Sequence, residues 1–202
     1  MKTTKGFTII ELIIVISIIA LLSVIGISTY GSVQVDARNS KRKSDLKEIK
    51  SALELYKSEI GTYPSTAGRS GCPATGTVGD GNWCGLCATY NTGNTFQTTD
   101  TDGTATSSDT GDTGYIPDVA PVYMQQLPVD PRSSFVNSSS GNLGCTTNAG
   151  SNCYLYNSNG VDYKLLAHCT PEGTMDPNDA FFDPIRPTHA WQVSSSNTSR
   201  NW

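Results

Sequence analysis

The sequence predicts an α+β protein in which a long N-terminal α-helix packs on a small antiparallel β-sheet within a loop-rich, disulfide-stapled head. Three observations lead to this fold class. Residues 7–27 form a nearly uninterrupted apolar run, residues 46–60 repeat apolar side chains at helical spacing, and residues 153–167 contain two strand-like runs around a turn dipeptide. One apolar helix face and one apolar sheet face must both be buried, and packing the second half of the helix on the sheet buries both.

The apolar run from Phe7 to Ile27 contains one charged residue, Glu11. A helix of this length spans roughly 30 Å, the thickness of the hydrocarbon core of a bilayer. A cleaved secretory signal has a shorter core followed by a small-residue cleavage site, whereas here the small residue, Gly6, precedes the run. A plain anchor helix explains the length but not the acid, whose insertion into lipid costs about 2.5–3.5 kcal/mol. Cleavage after Gly6, with the helix retained behind a new N-terminal Phe7, accounts for both features.

The segment Gly6-Phe7-Thr8-Ile9-Ile10-Glu11 and its apolar continuation resemble the class III signal of type IV prepilins and type II secretion pseudopilins. This resemblance implies that a prepilin peptidase cleaves after Gly6 and methylates the amine of Phe7. It also implies a single-pass precursor in the bacterial inner membrane, which an assembly platform draws into a cell-surface or periplasmic filament. The implied partners are copies of this chain, other pilins, the peptidase, the platform and the lipid bilayer.

Glu11 has a predicted role in assembly. Its carboxylate can pair with the mature N-terminal amine of a neighbouring subunit, because low dielectric strengthens an ion pair and makes an unpaired charge costly. We therefore expect Glu11 to set the register between subunits.

The chain divides into six predicted parts: a leader peptide, 1–6; a transmembrane or filament-core helix, 7–32; an amphipathic helical half, 33–61; a variable Gly/Thr/Asp-rich loop with cysteines, 62–114; a β-sheet region, 115–170; and a C-terminal loop and strand region, 171–202. Residues 26–32 are rich in weak helix formers, which predicts a curved or locally melted helix there. Beyond them an apolar stripe predicts a buried helix face, formed by Leu46, Ile49, Leu53, Tyr56 and Ile60. Gly61, followed by Pro64, predicts the end of the helix.

A basic shoulder follows the apolar run and consists of Arg38, Lys41, Arg42, Lys43, Lys47 and Lys50. We interpret it first as a solvated helix face, then as a contact with other subunits or lipid headgroups, and last as a DNA contact. The charge balance speaks against a general nucleic-acid binder: the net charge is −4, and removal of Lys2 and Lys5 with the leader leaves 12 basic against 18 acidic residues, or −6.

All six cysteines follow the helix, in a region with little apolar content: Cys72, Cys84, Cys87, Cys145, Cys153 and Cys169. Only 19 of residues 62–202 are Leu, Ile, Val or Phe, so the core there is weak. An even number of cysteines in such an exported head predicts a disulfide framework. Their pairing stays open, with Cys145–Cys153 a reasonable short-range pair. Redox chemistry at Trp83–Cys87 is disfavoured, since no βαβ unit surrounds it, and a zinc site using Cys72, Cys84 and Cys87 is a further alternative.

The sheet is predicted from two runs, 153–158 and 161–167, on either side of Asn159-Gly160, a pair favoured in type I′ hairpin turns. Residues 188–193 are a candidate third strand, and residues 122–127 a short helical turn. Asp176, Asp179 and Asp183 form an oxygen-rich group near the C-terminus. Because the resembling major pseudopilins carry calcium in their C-terminal loops, this group is a better candidate for a calcium site than Asp100, Asp102, Asp109 and Asp112, although solvated turns compete with it. No other cofactor is expected.

No enzymatic constellation is present around His168 or His189, so the sequence predicts a non-enzymatic protein. The predicted function is that of a structural subunit of a type IV pilus-like filament, with a type IV pilin-like fold. Residues 45–64 and 127–131 also resemble the major pseudopilin of a type II secretion system, which is one alternative. A DNA-binding minor pilin is another. The long insert and the cysteines favour a surface pilus.

Overall fold

The computed structural model describes residues 6–67, 83–85, 114–132, 152–169 and 172–202. The chain divides into two compact units, Met1–Arg38 and Asn39–Trp202. Its described elements are the helices α1 (Ile9–Ile60) and α2 (Asn197–Arg200) and four strands, β1 (Cys84–Gly85), β2 (Cys153–Ser158), β3 (Tyr163–His168) and β4 (Ala190–Ser194). The predicted combination of one long helix and a small antiparallel sheet is therefore confirmed.

Helix α1 is continuous through residues 26–32. Of the two predicted alternatives, the locally melted one is wrong, because the weak formers Gly26, Ser28, Thr29 and Gly31 lie between long runs of strong apolar and charged helix residues. Gly61 ends the helix as predicted: its φ is +90° and its amide donates to the carbonyl oxygen of Lys57 over 2.8 Å.

The buried face of α1 lies within the second unit. Leu46, Ile49 and Leu53 are fully buried, and Ala52 is nearly so. Tyr56 packs at the margin of the core, whereas Ile60 is 54% exposed. The predicted stripe is therefore correct over its first three members and too long by its last, because Ile60 lies in the final turn of the helix.

The four strands form one antiparallel sheet in the order β1-β2-β3-β4. Side chains alternate between its faces. Tyr154, Tyr156, Leu165 and Trp191 join the core that contains the buried face of α1. Leu155 belongs to a second cluster, together with Leu166, Cys153, Ala190 and Trp83. The sheet therefore contributes apolar side chains to two cores.

The hairpin between β2 and β3 has a four-residue connection, not the two-residue turn predicted from the sequence. Ser158 pairs with Tyr163, which leaves residues 159–162 as the loop. The side-chain oxygen of Asn159 accepts from the amides of Val161 and Asp162 at 3.0 and 2.8 Å, so both residues are drawn into the turn. Gly160 takes the left-handed φ of +89° that its position requires.

Three further predictions of element bounds are corrected. The third predicted strand exists but covers Ala190–Ser194, with Thr188 and His189 before it. Residues 122–127 form turns and bends instead of a helical turn. The sheet also contains a strand that was not predicted, since β1 lies inside the segment predicted as a loop, whereas β4 lies in the predicted C-terminal loop and strand region. A two-residue strand such as β1 leaves no periodicity in the sequence.

Candidate assembly site

The first half of α1 is apolar on all sides and exposed. We call residues 7–22 the apolar segment. Every Phe, Ile, Leu and Val side chain in it is between 47% exposed, at Val15, and 88% exposed, at Phe7. Contiguous apolar surface of this extent marks an interaction site on a protein. The apolar segment is therefore a surface that needs a partner of similar polarity.

Polar groups in and next to the apolar segment are satisfied within the helix itself. The hydroxyls of Ser17 and Ser23 donate to the carbonyl oxygens of Ile13 and Ile19, each over 2.7 Å. Such bonds remove the need for an outside partner. The segment can thus face an apolar environment without exposing an unpaired hydroxyl at either serine.

Glu11 belongs to a capping box at the start of α1. Its Oε2 accepts from the amide of Thr8 at 2.9 Å and from the hydroxyl of Thr8 at 2.6 Å, while the Glu11 amide donates to that hydroxyl over 3.3 Å. This arrangement satisfies donors that the helix terminus otherwise leaves open. Sequence reasoning missed this role, although the spacing of Thr8 and Glu11 is the signature of a capping box.

The predicted processing residues lie beside this cap. Gly6 and Phe7 are both exposed, and a Cβ added at Gly6 would meet no atom within 4 Å. Met1–Lys5 lie outside the described residues. Within the part of the chain that the structure describes, no helix is both long and apolar enough to cross a membrane.

Arg42, predicted to lie on a solvated basic face, is instead fully buried in a network of charges. Its guanidinium bonds both carboxylate oxygens of Asp130 at 2.7 and 3.0 Å, and Glu172 at 2.9 Å. Asn39 accepts from Arg42 at 3.0 Å, and Arg132 pairs with Glu172 at 3.3 Å. Burial alone would lower the pKa of Arg42, but the bonds to Asp130 and Glu172 raise it above its usual value. We call this set the Arg42 network.

Two lysines of the basic shoulder are paired as well. Lys41 bonds Asp45, whose buried carboxylate also accepts from the hydroxyl of Tyr154 at 2.7 Å. Burial, and then the bond to Asp45, raises the pKa of Tyr154 well above its usual value. Lys43 pairs with Asp179 at 2.5 Å. Lys41, Arg42 and Lys43 of the predicted basic shoulder therefore form ion pairs within the head.

The proposed calcium ligands are occupied by other contacts. Asp176 accepts from the amide of Asn178 at 2.9 Å, and Asp179 bonds Lys43. Asp183 is fully buried and bonds Lys164 and Arg186, each at 3.1 Å. Among the described residues, no three His, Cys, Asp or Glu side chains are grouped so that they could hold a metal ion. Calcium binding by these aspartates stays a prediction.

Three of the six predicted disulfide cysteines are described: Cys84 opens β1, Cys153 opens β2 and Cys169 follows β3. They carry no free thiol. Cys72, Cys87 and Cys145 lie outside the described residues. The predicted framework and its connectivity are therefore not established.

The N-terminal segment also matches a known motif. The chain carries a prokaryotic N-terminal methylation motif over residues 1–27. The resemblance of this segment to a prepilin signal is thereby confirmed. Over 65 residues the chain is also 34% identical to the type II secretion system core protein G of Pseudomonas aeruginosa, a match that covers 32% of this chain and 46% of that protein. No solved structure matches the chain significantly.

Proposed function

We propose that the chain is a structural subunit of a type IV pilus-like filament, assembled through its N-terminal helix after cleavage behind Gly6. The observation that carries the proposal is that two features lie in the same residues. The methylation motif covers residues 1–27, and the same residues contain the exposed apolar segment. Processing at the start of a helix whose apolar side chains are exposed fits a subunit that buries this helix among copies of itself.

Before assembly, the apolar segment would lie in the inner membrane, since lipid and a bundle of similar helices offer it the same polarity. The head would then face an oxidising compartment, where its cysteines form structural disulfides. Afterwards the filament would display the head at the cell surface or in the periplasm. Glu11 would retain its bond to Thr8 through Oε2 and offer Oε1 to the methylated amine of a neighbouring Phe7.

A major pseudopilin of a type II secretion system is the second candidate. Its support is the 34% identity to core protein G over 65 residues. The chain spans 46% of the length of that relative, so the rest of the head can differ between the two proteins. The two candidates are distinguished by two measurements. A pilus can be sheared from the cell surface, whereas the loss of a pseudopilin abolishes secretion.

The proposal is tested by the mature N-terminus of the chain in assembled filaments. Mass spectrometry of filament protein should show that Met1–Gly6 is missing and that Phe7 carries one methyl group. Gly6→Val should abolish cleavage, because the added side chain stands at the scissile bond. Gly31→Val is the matched control, since a Cβ at either glycine meets no atom within 4 Å. Full-length chain in assembled filaments would refute the proposal.

Glu11→Gln separates the two roles of the carboxylate. The amide still accepts from Thr8 and preserves the cap, but it carries no charge for a neighbouring amine. We expect cleavage to remain and the yield of filaments to fall at least about tenfold, the equivalent of about 1.4 kcal/mol per contact. Thr8→Val, which removes the hydroxyl but leaves the charge, is the control. Normal filament yield from Glu11→Gln would contradict the proposed ion pair.

A further inference from the structure

Polar contacts hold the first turn of α1 in the second unit. That unit begins at Asn39, and three side chains of this turn have partners on three separate segments of the head. The residues involved, which we call the junction cluster, are Asn39, Arg42, Lys43, Asp130, Glu172 and Asp179. The fully buried apolar side chains of α1 follow only beyond this turn, from Leu46 onwards.

The contacts of the junction cluster are directional. The side chain of Asn39 bonds the backbone of Glu172 twice: its Nδ2 donates to the carbonyl oxygen over 3.0 Å, and its Oδ1 accepts from the amide at 3.1 Å. The guanidinium of Arg42 donates to both carboxylate oxygens of Asp130, over 2.7 and 3.0 Å, and to Glu172 over 2.9 Å. Paired hydrogen bonds of this kind fix the orientation of the two partners as well as their distance.

The centre of the junction cluster is closed to solvent. The side chains of Arg42 and Asp130 are both 0% exposed, and that of Glu172 is 11% exposed. Separation of Arg42 from its partners therefore leaves buried charges uncompensated, which is costly. A hydrogen bond is lost once its length grows from about 2.9 to about 3.6 Å, so a small displacement of α1 breaks these contacts. Apolar packing is non-directional and tolerates sliding better.

The junction cluster lies where a pull on α1 toward its N-terminus enters the head. The other end of the helix is tied to the sheet, because the amide of Tyr63 donates to the carbonyl oxygen of Gly160 in the β2–β3 hairpin over 2.8 Å. Such a pull shears the helix along the head. In shear, the contacts nearest the point of pulling bear the force first, and these are the contacts of the junction cluster.

We propose that the junction cluster is a mechanical clamp, which transmits tension from the first half of α1 to the head and prevents the helix from sliding. The apolar packing of α1 then stabilises the fold, and the clamp determines how long the fold survives under force. This inference goes beyond the proposed filament role. It is tested on the single chain, so that its failure is distinguishable from the failure of that role.

The test is constant-force optical-tweezers spectroscopy on the full chain in non-ionic detergent micelles. Handles are attached through p-azidophenylalanine at exposed positions, in two arrangements. In the first they replace Ser40 and Val161, so that the force enters α1 at the junction cluster. In the second they replace Leu55 and Val161, so that the force enters the helix beyond the cluster. The measured quantity is the lifetime of the folded head.

Arg42→Ala and Asn39→Ala remove contacts of the clamp. Each should shorten the lifetime at least about tenfold in the first arrangement and no more than about threefold in the second. Asn39→Ala leaves Arg42 on both of its carboxylate partners, so it provides the test if Arg42→Ala does not fold.

Leu53→Ala is the matched control, because it removes a fully buried apolar side chain of the same helix and also destabilises the fold. It should shorten the lifetime by a similar factor in both arrangements. Equal losses in the two arrangements for Asn39→Ala would overturn the proposal. So would a Leu53→Ala chain that shows the same difference between the arrangements as the variants of the clamp.

Discussion

The two halves of α1 hold the same kind of side chain in opposite environments. In the apolar segment every large aliphatic side chain is at least 47% exposed, whereas Leu46, Ile49 and Leu53 are fully buried in the head. Charge follows the same division: Glu11 is exposed at the helix start, and Arg42 is buried in a network of carboxylates. One continuous helix therefore serves two tasks. Its second half belongs to the fold of the head, and its first half exposes an apolar surface that we propose serves assembly.

The largest effect on stability is expected at Arg42, the buried charge in the second half of α1. Arg42→Ala leaves the carboxylates of Asp130 and Glu172 without their main cation, so the free energy of unfolding should fall by about 3–5 kcal/mol. Urea unfolding of the full chain in micelles, followed by tryptophan fluorescence, measures this loss. Lys50→Ala is the control, since it removes an exposed cation that has no ion pair among the described residues, and it should change stability by no more than about 0.5 kcal/mol. Equal effects of the two substitutions would disprove the stabilising role of the Arg42 network.

The second prediction compares two leucines of the same helix. Leu53→Ala removes a fully buried side chain and should reduce the free energy of unfolding of the head by about 2–4 kcal/mol in the same assay. Leu21 is 69% exposed, so Leu21→Ala should change it by less than about 0.5 kcal/mol. When equal amounts of folded protein are compared, filament yield should fall more with Leu21→Ala than with Leu53→Ala. A large loss of head stability from Leu21→Ala would remove the distinction between the two halves.

The smallest expected effect concerns a buried charge away from α1. Burial of Lys164, opposed by its pairing with Asp183, lowers its pKa from the usual 10.5 to about 8. Between these values the unfolded chain holds a proton that the folded chain has released. The contribution of Lys164 to stability is therefore present above pH 10.5 and is lost as the pH falls through about 8.

The direction of this pH dependence can be measured by comparing the wild-type chain with Lys164→Met, in which Asp183 keeps its bond to Arg186 at 3.1 Å. As the pH rises from about 8 to about 10, the wild-type chain should gain stability relative to the variant. Tyrosine ionisation affects both proteins and cancels in the difference. A flat difference across this range would show that Lys164 titrates normally.

Local patterns made the main elements predictable from the sequence. The apolar run marks the first half of α1, the Leu46–Ile49–Leu53 spacing marks its buried face, and the Asn159-Gly160 pair places the hairpin between β2 and β3. Each of these signals lies within a few residues of the chain. The length of the hairpin loop was mispredicted because the side chain of Asn159 captures two further amides.

Long-range contacts explain most of what the sequence did not reveal. Arg42 looks like one member of a basic run, and its partners Asp130 and Glu172 lie 88 and 130 positions away. No periodicity connects such residues. The same applies to the bond between Asp183 and Lys164, which lie 19 positions apart. Thr8 is different: its cap with Glu11 is local, and the spacing alone was sufficient to identify it.

The contact between Lys43 and Trp191 has an optical consequence. The ammonium group of Lys43 lies 4.6 Å from the centre of the indole ring, and that ring is 4% exposed. Because the cation interacts with the electrons of the buried ring, detachment of α1 from β4 should change the fluorescence of the protein. The head thus contains its own reporter for the docking of its helix, without any added dye.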